Sequence, residues 1–167
     1  MKKKDIALII GVVLVILLAV FVTGTTNANP VELPLALSGE DVGSIKIDYP
    51  TYKSKVDNGE NFIVIIERTG CSYCEKYLPV LEDTANELSI PIYYIDLVDL
   101  TEDEYYELGN TNSYLKRNKK WGTPTTLLMS GNTVVDSISG YVEKEKFISE
   151  IIDGNVKLSQ EENTDVE

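Results

Sequence analysis

From residue 41 to about residue 154, runs of apolar residues alternate with helical periods. Ser44-Ile45-Lys46-Ile47-Asp48 alternates as a short strand does, and Tyr52 to Val56 reads as a brief helix closed by Asp57-Asn58-Gly59. Phe62-Ile63-Val64-Ile65-Ile66 is a continuous β-branched and aromatic run, the pattern of a strand covered on both faces. Tyr77, Leu78, Leu81, Ala85 and Leu88 then recur at helical spacing until Pro91. Ile92 to Leu97 is a second buried strand. Thr101 before Glu102-Asp103-Glu104 is a helix N-cap with an acidic first turn, opening a helix or helix pair that runs to about Lys120 with a break at Gly109-Asn110. Thr125 to Met129 is a strand, Ser130-Gly131-Asn132 a hairpin turn into Thr133 to Ser139, and Glu143 to Ile152 a closing helix with Phe147, Ile148, Ile151 and Ile152 on one face. Strands alternating with helices predict a parallel core, and the final hairpin adds antiparallel pairs. The class is an α/β sandwich with a mixed sheet of four or five strands.

The two ends do not share this pattern. Ile6 to Val22 is 17 residues without a charge, about 25 Å as a helix, preceded by Lys2-Lys3-Lys4. That length is within reach of a spanning helix and exceeds the usual apolar core of a signal peptide. The expectation is a basic cytoplasmic tip at 1–5, a single transmembrane signal anchor at 6–23, a flexible linker at 24–40 rich in Thr, Asn and Pro, the α/β domain at 41–154, and an acidic disordered tail at 155–167. Thr26-Asn27-Ala28 is also a small-x-small cleavage sequence, and cutting after Ala28 would release a secreted form. No basic residue follows the apolar run until Lys46, so the positive-inside rule puts the N-terminus in the cytoplasm and the domain outside.

Charge and composition narrow the chemistry. Three of the 15 Lys+Arg and one of the 27 Asp+Glu precede or flank the start of the anchor, so the remainder carries 12 basic against 26 acidic side chains, a net −14. Such a surface makes nucleic acid a poor partner. The chain has no histidine, which removes Ser-His and Cys-His catalysis and most zinc sites.

The two cysteines, Cys71 and Cys74, stand three apart where a buried strand turns into a helix. Unpaired N–H groups and the helix dipole stabilise an anion at that place, so Cys71 is the candidate nucleophile. One turn on, Cys74 is placed to attack a mixed disulfide formed on Cys71 and release the partner. Other readings stay open on spacing alone. Two buried cysteines, or a structural disulfide closing a tiny loop, need no chemistry, and half a zinc site lacks its other ligands. A Cu(I) carrier would use both soft thiolates. Trp121-Gly122-Thr123-Pro124-Thr125 lies directly before a strand, and Pro124 there is either a cis bond or an ordinary trans proline opening an edge strand.

From about Ser44 to Ile152 the chain resembles the thioredoxin fold family. The likeness rests on FIVIIE, Cys71-Ser72-Tyr73-Cys74, Pro79 in the following helix, IYYIDL, WGTPTTLLMSGNTVV, and Gly140-Tyr141 before EKEKFISEII. It implies a three-layer α/β/α sandwich and a thiol–disulfide oxidoreductase, which the N-terminal apolar run and its lysines would anchor in the membrane and place outside the cytoplasm. No cofactor is expected beyond a redox-active Cys71–Cys74 disulfide, and no metal. It also implies that Pro124 is cis and lies beside the cysteines, where it and Thr123 hold a client's extended chain. Tyr73 and Trp121 are candidates for an apolar rim to a client peptide, with an ordinary partly buried aromatic as the alternative for Trp121. The clients would be thiols and disulfides of exported proteins, with a membrane partner to recharge the couple. The layout of anchor and short domain is similar to thioredoxin-like proteins of Gram-positive bacteria, bacteriocin-transport accessory proteins among them. The alternative function is a non-catalytic accessory module binding an exported peptide or a transporter through the Pro124 surface.

The chain departs from the family in three places. Gly70 stands where thioredoxins have Trp, and Ser72-Tyr73 replaces Gly-Pro. Ile65 occupies the place of a buried Asp six positions before the first cysteine. Glu67, two residues on and on the same strand face, is the candidate base for Cys74; otherwise it is a strand-end carboxylate facing solvent. Lys116-Arg117-Asn118-Lys119-Lys120 either opposes a helix dipole or draws acidic partners to the active-site face.

Overall fold

The computed structural model describes residues 31–158. The cytoplasmic tip and the anchor at 6–23, with residues 24–30 of the linker and 159–167 of the tail, lie outside the described residues. Among the described residues no helix is long and apolar enough to cross a membrane.

The elements follow in the order β1 (Leu35–Ala36), β2 (Gly43–Lys46), α1 (Tyr49–Asp57), β3 (Asn61–Glu67), α2 (Ser72–Leu88), β4 (Pro91–Asp96) and a 3-10 turn (Leu97–Asp99). Then come α3 (Glu102–Thr111), α4 (Ser113–Arg117), β5 (Thr125–Ser130), β6 (Thr133–Ser139), α5 (Lys144–Phe147) running on as a π turn (Ile148–Ile152), and β7 (Val156–Lys157). The main sheet has five strands in the order β2-β4-β3-β5-β6. β2 and β3 both pair with β4 in parallel, while β5 is antiparallel to β3 and to β6. This is the expected mixed sheet.

The central strand explains the layering. Phe62 to Ile66 are all fully buried, because alternate residues of β3 enter two different cores. Ile63 and Ile65 pack with Tyr77, Leu81 and Ala85 of α2 and with Phe147, Ile151 and Ile152. Phe62, Val64 and Ile66 pack with Tyr49 and Tyr52 of α1, Leu108 of α3 and Leu115 of α4. Fully burying each such side chain contributes about 1.5–3 kcal/mol, so the sheet is held by both helical layers.

The structure corrects the boundaries drawn from sequence. Leu35–Ala36, within the span taken as linker, pairs in parallel with Val156–Lys157, within the span taken as tail. Leu35 and Val156 are both buried in the α2 core, so the packed unit reaches past 41 and 154 at both ends. Helix α1 begins at Tyr49, three residues earlier than the apolar period suggests. Asp48 caps it by accepting the Thr51 N–H, and Pro50 fits the first turn because no N–H is needed there. Thr101 caps α3 through a capping box with Glu104, as its sequence predicts.

The break in the next helical segment falls at Asn112 instead of Gly109-Asn110. Asn112 is buried; its Oδ1 accepts the N–H groups of Tyr114 and Leu115, and its amide donates to the Tyr52 hydroxyl. Asn112→Ala should therefore cost about 1–3 kcal/mol, from the lost cap and the stranded Tyr52 hydroxyl. Urea denaturation should show this as a lower midpoint at unchanged slope.

Candidate functional site

The cysteines sit where β3 ends and α2 begins. Arg68 to Cys71 form a turn closed by the Cys71 N–H on the Arg68 carbonyl at 3.0 Å. Gly70 within it has φ +81°, a conformation open to glycine, while the space around a Cβ there is empty. A glycine in place of tryptophan thus answers a backbone demand. Cys71 is the N-cap of α2, and its Sγ accepts the Cys74 N–H at 3.4 Å. Pro79 lies inside the same helix.

The opposite wall is the loop before β5. The Thr123–Pro124 bond is cis. The Cys71 thiol lies 3.4 Å from the Thr123 carbonyl, to which it donates. Two bonds hold this loop: the Thr125 hydroxyl donates to the Gly122 carbonyl, and the Gly140 N–H donates to the Pro124 carbonyl at 2.8 Å. The glycine that the sequence marks as a late family feature therefore fixes the proline loop. Tyr77 of α2 and Thr126 of β5 share a hydrogen bond at 3.1 Å, tying the cysteine helix to the proline strand.

Both cysteines are free thiols in this structure, Cys71 partly exposed and Cys74 only 1% exposed. Their protonation tendencies diverge. Burial works against a Cys71 thiolate, but hydrogen bonds from the Cys74 and Thr123 side chains and from the Cys74 and Tyr73 N–H groups outweigh it, so its pKa lies below the ordinary thiol value. Cys74 is pushed up to about 11, first by burial and then by Cys71. Of the two thiols, Cys71 is the more exposed and the more easily ionised, and Cys74 the more buried and the less easily ionised.

The remaining sequence-predicted residues distribute unevenly. Tyr73 projects into solvent at 61% exposure. Trp121 is half-buried, and its ring rests on Tyr105 of α3 with centroids 6.0 Å apart, so no stacking with Tyr73 is seen. Ile65, in the place of the family's acid, is core. Glu67 is 5% exposed, which removes the solvent-facing alternative. By strand alternation it shares the α2 face of β3 with Ile63 and Ile65. Its register partner is Asp96 of β4. Burial foremost, then the Asp96 charge, pushes its pKa up to about 7, while Lys46 pulls the other way. Lys116, Arg117, Lys119 and Lys120 are exposed around the end of α4.

Sequence reading misses Asp96 and Thr69. The Asp96 carboxylate accepts the Thr69 N–H at 3.0 Å and the Thr69 hydroxyl, reaching across 27 residues to the turn that carries Cys71. A contact between two positions so far apart leaves no local pattern to find.

A family model for a thioredoxin-like domain matches residues 51–154. Among solved structures, thioredoxin f from spinach chloroplast (short form) is similar at TM-score 0.50 and 16% identity, covering 68% of this chain and 94% of that one. A thioredoxin from Aeropyrum pernix has TM-score 0.49 at 15% identity, covering 67% and 92% of the two chains. Thioredoxin NaTrxh from Nicotiana alata has 0.49 at 17%, covering 68% and 96%. At 16% identity the likeness to the spinach protein speaks for the fold alone. The family match spans more than half of the chain and encloses Cys71, Cys74 and Pro124, and the chain belongs to the thioredoxin-like domain family.

Proposed function

We propose that this protein is a thiol–disulfide oxidoreductase acting outside the cytoplasm on exported proteins, tethered to the membrane by Ile6 to Val22. The opposed protonation tendencies of Cys71 and Cys74 carry the reading, because exchange needs one thiolate and one reserve thiol.

In the reducing direction, the Cys71 thiolate attacks one sulfur of a client disulfide. The client's other sulfur leaves as a thiolate, takes a proton from water, and a mixed disulfide remains on Cys71. Cys74 then gives its proton to Glu67 and attacks the Cys71 sulfur. The second client sulfur departs as a thiolate and takes a proton from water, and two electrons have passed from the Cys71–Cys74 pair, now a disulfide, to the client. A base with pKa near 7 is suited to this transfer at neutral pH. Thr123 and cis-Pro124 form the wall against which the client strand lies, with Tyr73 and Trp121 at its rim. No cofactor or metal enters any step. The same steps reversed oxidise a client, and the partner that recharges the couple sets the direction.

The extracytoplasmic placement is supported by the three lysines before the apolar run and the lack of a basic residue after it until Lys46. Titration of full-length protein against glutathione buffers should give a Cys71–Cys74 midpoint above about −300 mV. A midpoint below that range, where structural disulfides lie, would contradict the reading.

A further inference from the structure

We propose that Asp96 is a positioning residue for the redox couple, gripping Thr69 by two hydrogen bonds so that the 68–71 turn presents Cys71 to the start of α2. The inference rests on the oxidoreductase reading of the same site.

Asp96 lies at the C-terminal end of β4 and is 2% exposed. Its Oδ1 accepts the N–H groups of Thr69 at 3.0 Å and of Val98 at 3.2 Å, and its Oδ2 accepts the Thr69 hydroxyl. Lys46 of β2 stands 3.7 Å from Oδ2 and is itself paired to Asp99 at 2.7 Å. Glu67 of β3 adjoins it in register. Burial works against the Asp96 charge, but the Thr69 and Val98 donors and Lys46 more than offset it, so the group stays ionised.

A cap for the 3-10 turn would need only the Val98 bond. It leaves unexplained why Thr69, exposed and outside any regular element, turns both its N–H and its hydroxyl onto a buried carboxylate. The residues after Thr69 supply the reason. Gly70 reverses the chain, the Cys71 N–H closes on Arg68, and Cys71 Sγ must then meet the Cys74 N–H and the Thr123 carbonyl, both at 3.4 Å. Its glycine hinge lies in open space, with nothing within 4 Å of where a Cβ would stand, so the hinge itself does not brace the turn. Charge-assisted bonds to one rigid strand end hold it with the strength that such placement needs.

Thr69→Val tests this without changing any charge, since it removes the hydroxyl and keeps the branched shape. The readout is the pH dependence of Cys71 alkylation by iodoacetamide, a neutral reagent, on full-length reduced protein, with the adduct located by peptide mass. Thr69→Val should raise the Cys71 midpoint by about half a pH unit and slow alkylation at pH 7 about threefold, as the thiolate loses alignment with its donors. Thr69→Ser should restore wild-type values. In an Asp96→Asn background the Thr69→Val shift should vanish. An unmoved midpoint in Thr69→Val, no rescue by serine, or an undiminished shift in the Asp96→Asn background would each overturn the proposal. Because the readout is Cys71 itself, it can hold or fail independently of whether wild-type protein turns over a client disulfide.

Discussion

Cys71→Ser should bring dithiol-dependent insulin reduction by the full-length protein down to the uncatalysed rate, a fall of at least roughly two orders of magnitude. Serine keeps the size of the side chain and its place at the N-cap of α2, so the fold should survive with a normal unfolding midpoint. The substitution removes the one sulfur that is both partly exposed and inclined to ionise. Cys74→Ser should behave differently. The first attack on insulin still proceeds, but the mixed disulfide has no internal thiol to release it, so a single rapid event precedes a stalled reaction. Stopped turnover with a retained burst for Cys74→Ser, and neither for Cys71→Ser, is the expected pair of results. Equal activity in wild type and Cys71→Ser would remove the catalytic reading.

Glu67→Gln should make stability less dependent on pH, and in a direction opposite to most acidic substitutions. Glu67 is pushed up to about 7 from an ordinary carboxyl value near 4.5, by burial and by Asp96, against the pull of Lys46, with Asp99 adding a smaller push. A folded-state pKa above the unfolded one contributes stability that is whole below about 4.5 and is lost as pH rises through 7. The wild type should therefore weaken across that window, while the glutamine variant, which cannot ionise, should not. By about pH 8 the variant should be more stable by about 3 kcal/mol, and near pH 4 the two should coincide. Urea titrations at the two pH values read the difference. A variant that is less stable than wild type at pH 8 would show that Glu67 is ionised and well paired in the folded state.

These two predictions draw on different levels of information. Cys71, Cys74 and the proline loop are legible in the sequence because each carries its own local mark: two thiols three apart at a helix start, and a proline opening a strand. The central strand is legible for the same reason, since Phe62 to Ile66 is an unbroken apolar run that only a doubly covered strand requires. Glu67 is ambiguous because it stands at the end of that run, where alternation no longer says whether the next residue meets core or water. Its burial depends on what β4 places beside it, and that is Asp96. The β1–β7 pair has no sequence mark because two-residue strands have no period; only the meeting of Leu35 and Val156 in the α2 core reveals them. Gly109 draws the expected helix break away from Asn112 because the role of Asn112 is a buried cap with a partner, Tyr52, sixty residues away. The Gly140 N–H on the Pro124 carbonyl shows the same limit, since the glycine is visible in the sequence and its contact is not.

The resulting site is a division of labour around one strand end. Helix α2 presents Cys71 and conceals Cys74, the loop before β5 supplies the proline wall, and Asp96 pins the turn between β3 and α2. Each part is tied to the others by a named bond, so misplacing one should be read at the thiols before it is read in global stability.

The central claim is that Cys71 attacks and Cys74 resolves, and covalent trapping tests it most directly. Full-length Cys74→Ser protein, reduced and then mixed with oxidised insulin, should accumulate a mixed disulfide whose only protein-side sulfur is Cys71, identified by peptide mass spectrometry. Cys71→Ser protein treated in the same way should accumulate essentially none. Equal adduct on Cys74 in the Cys71→Ser protein, or no adduct on either, would contradict the account.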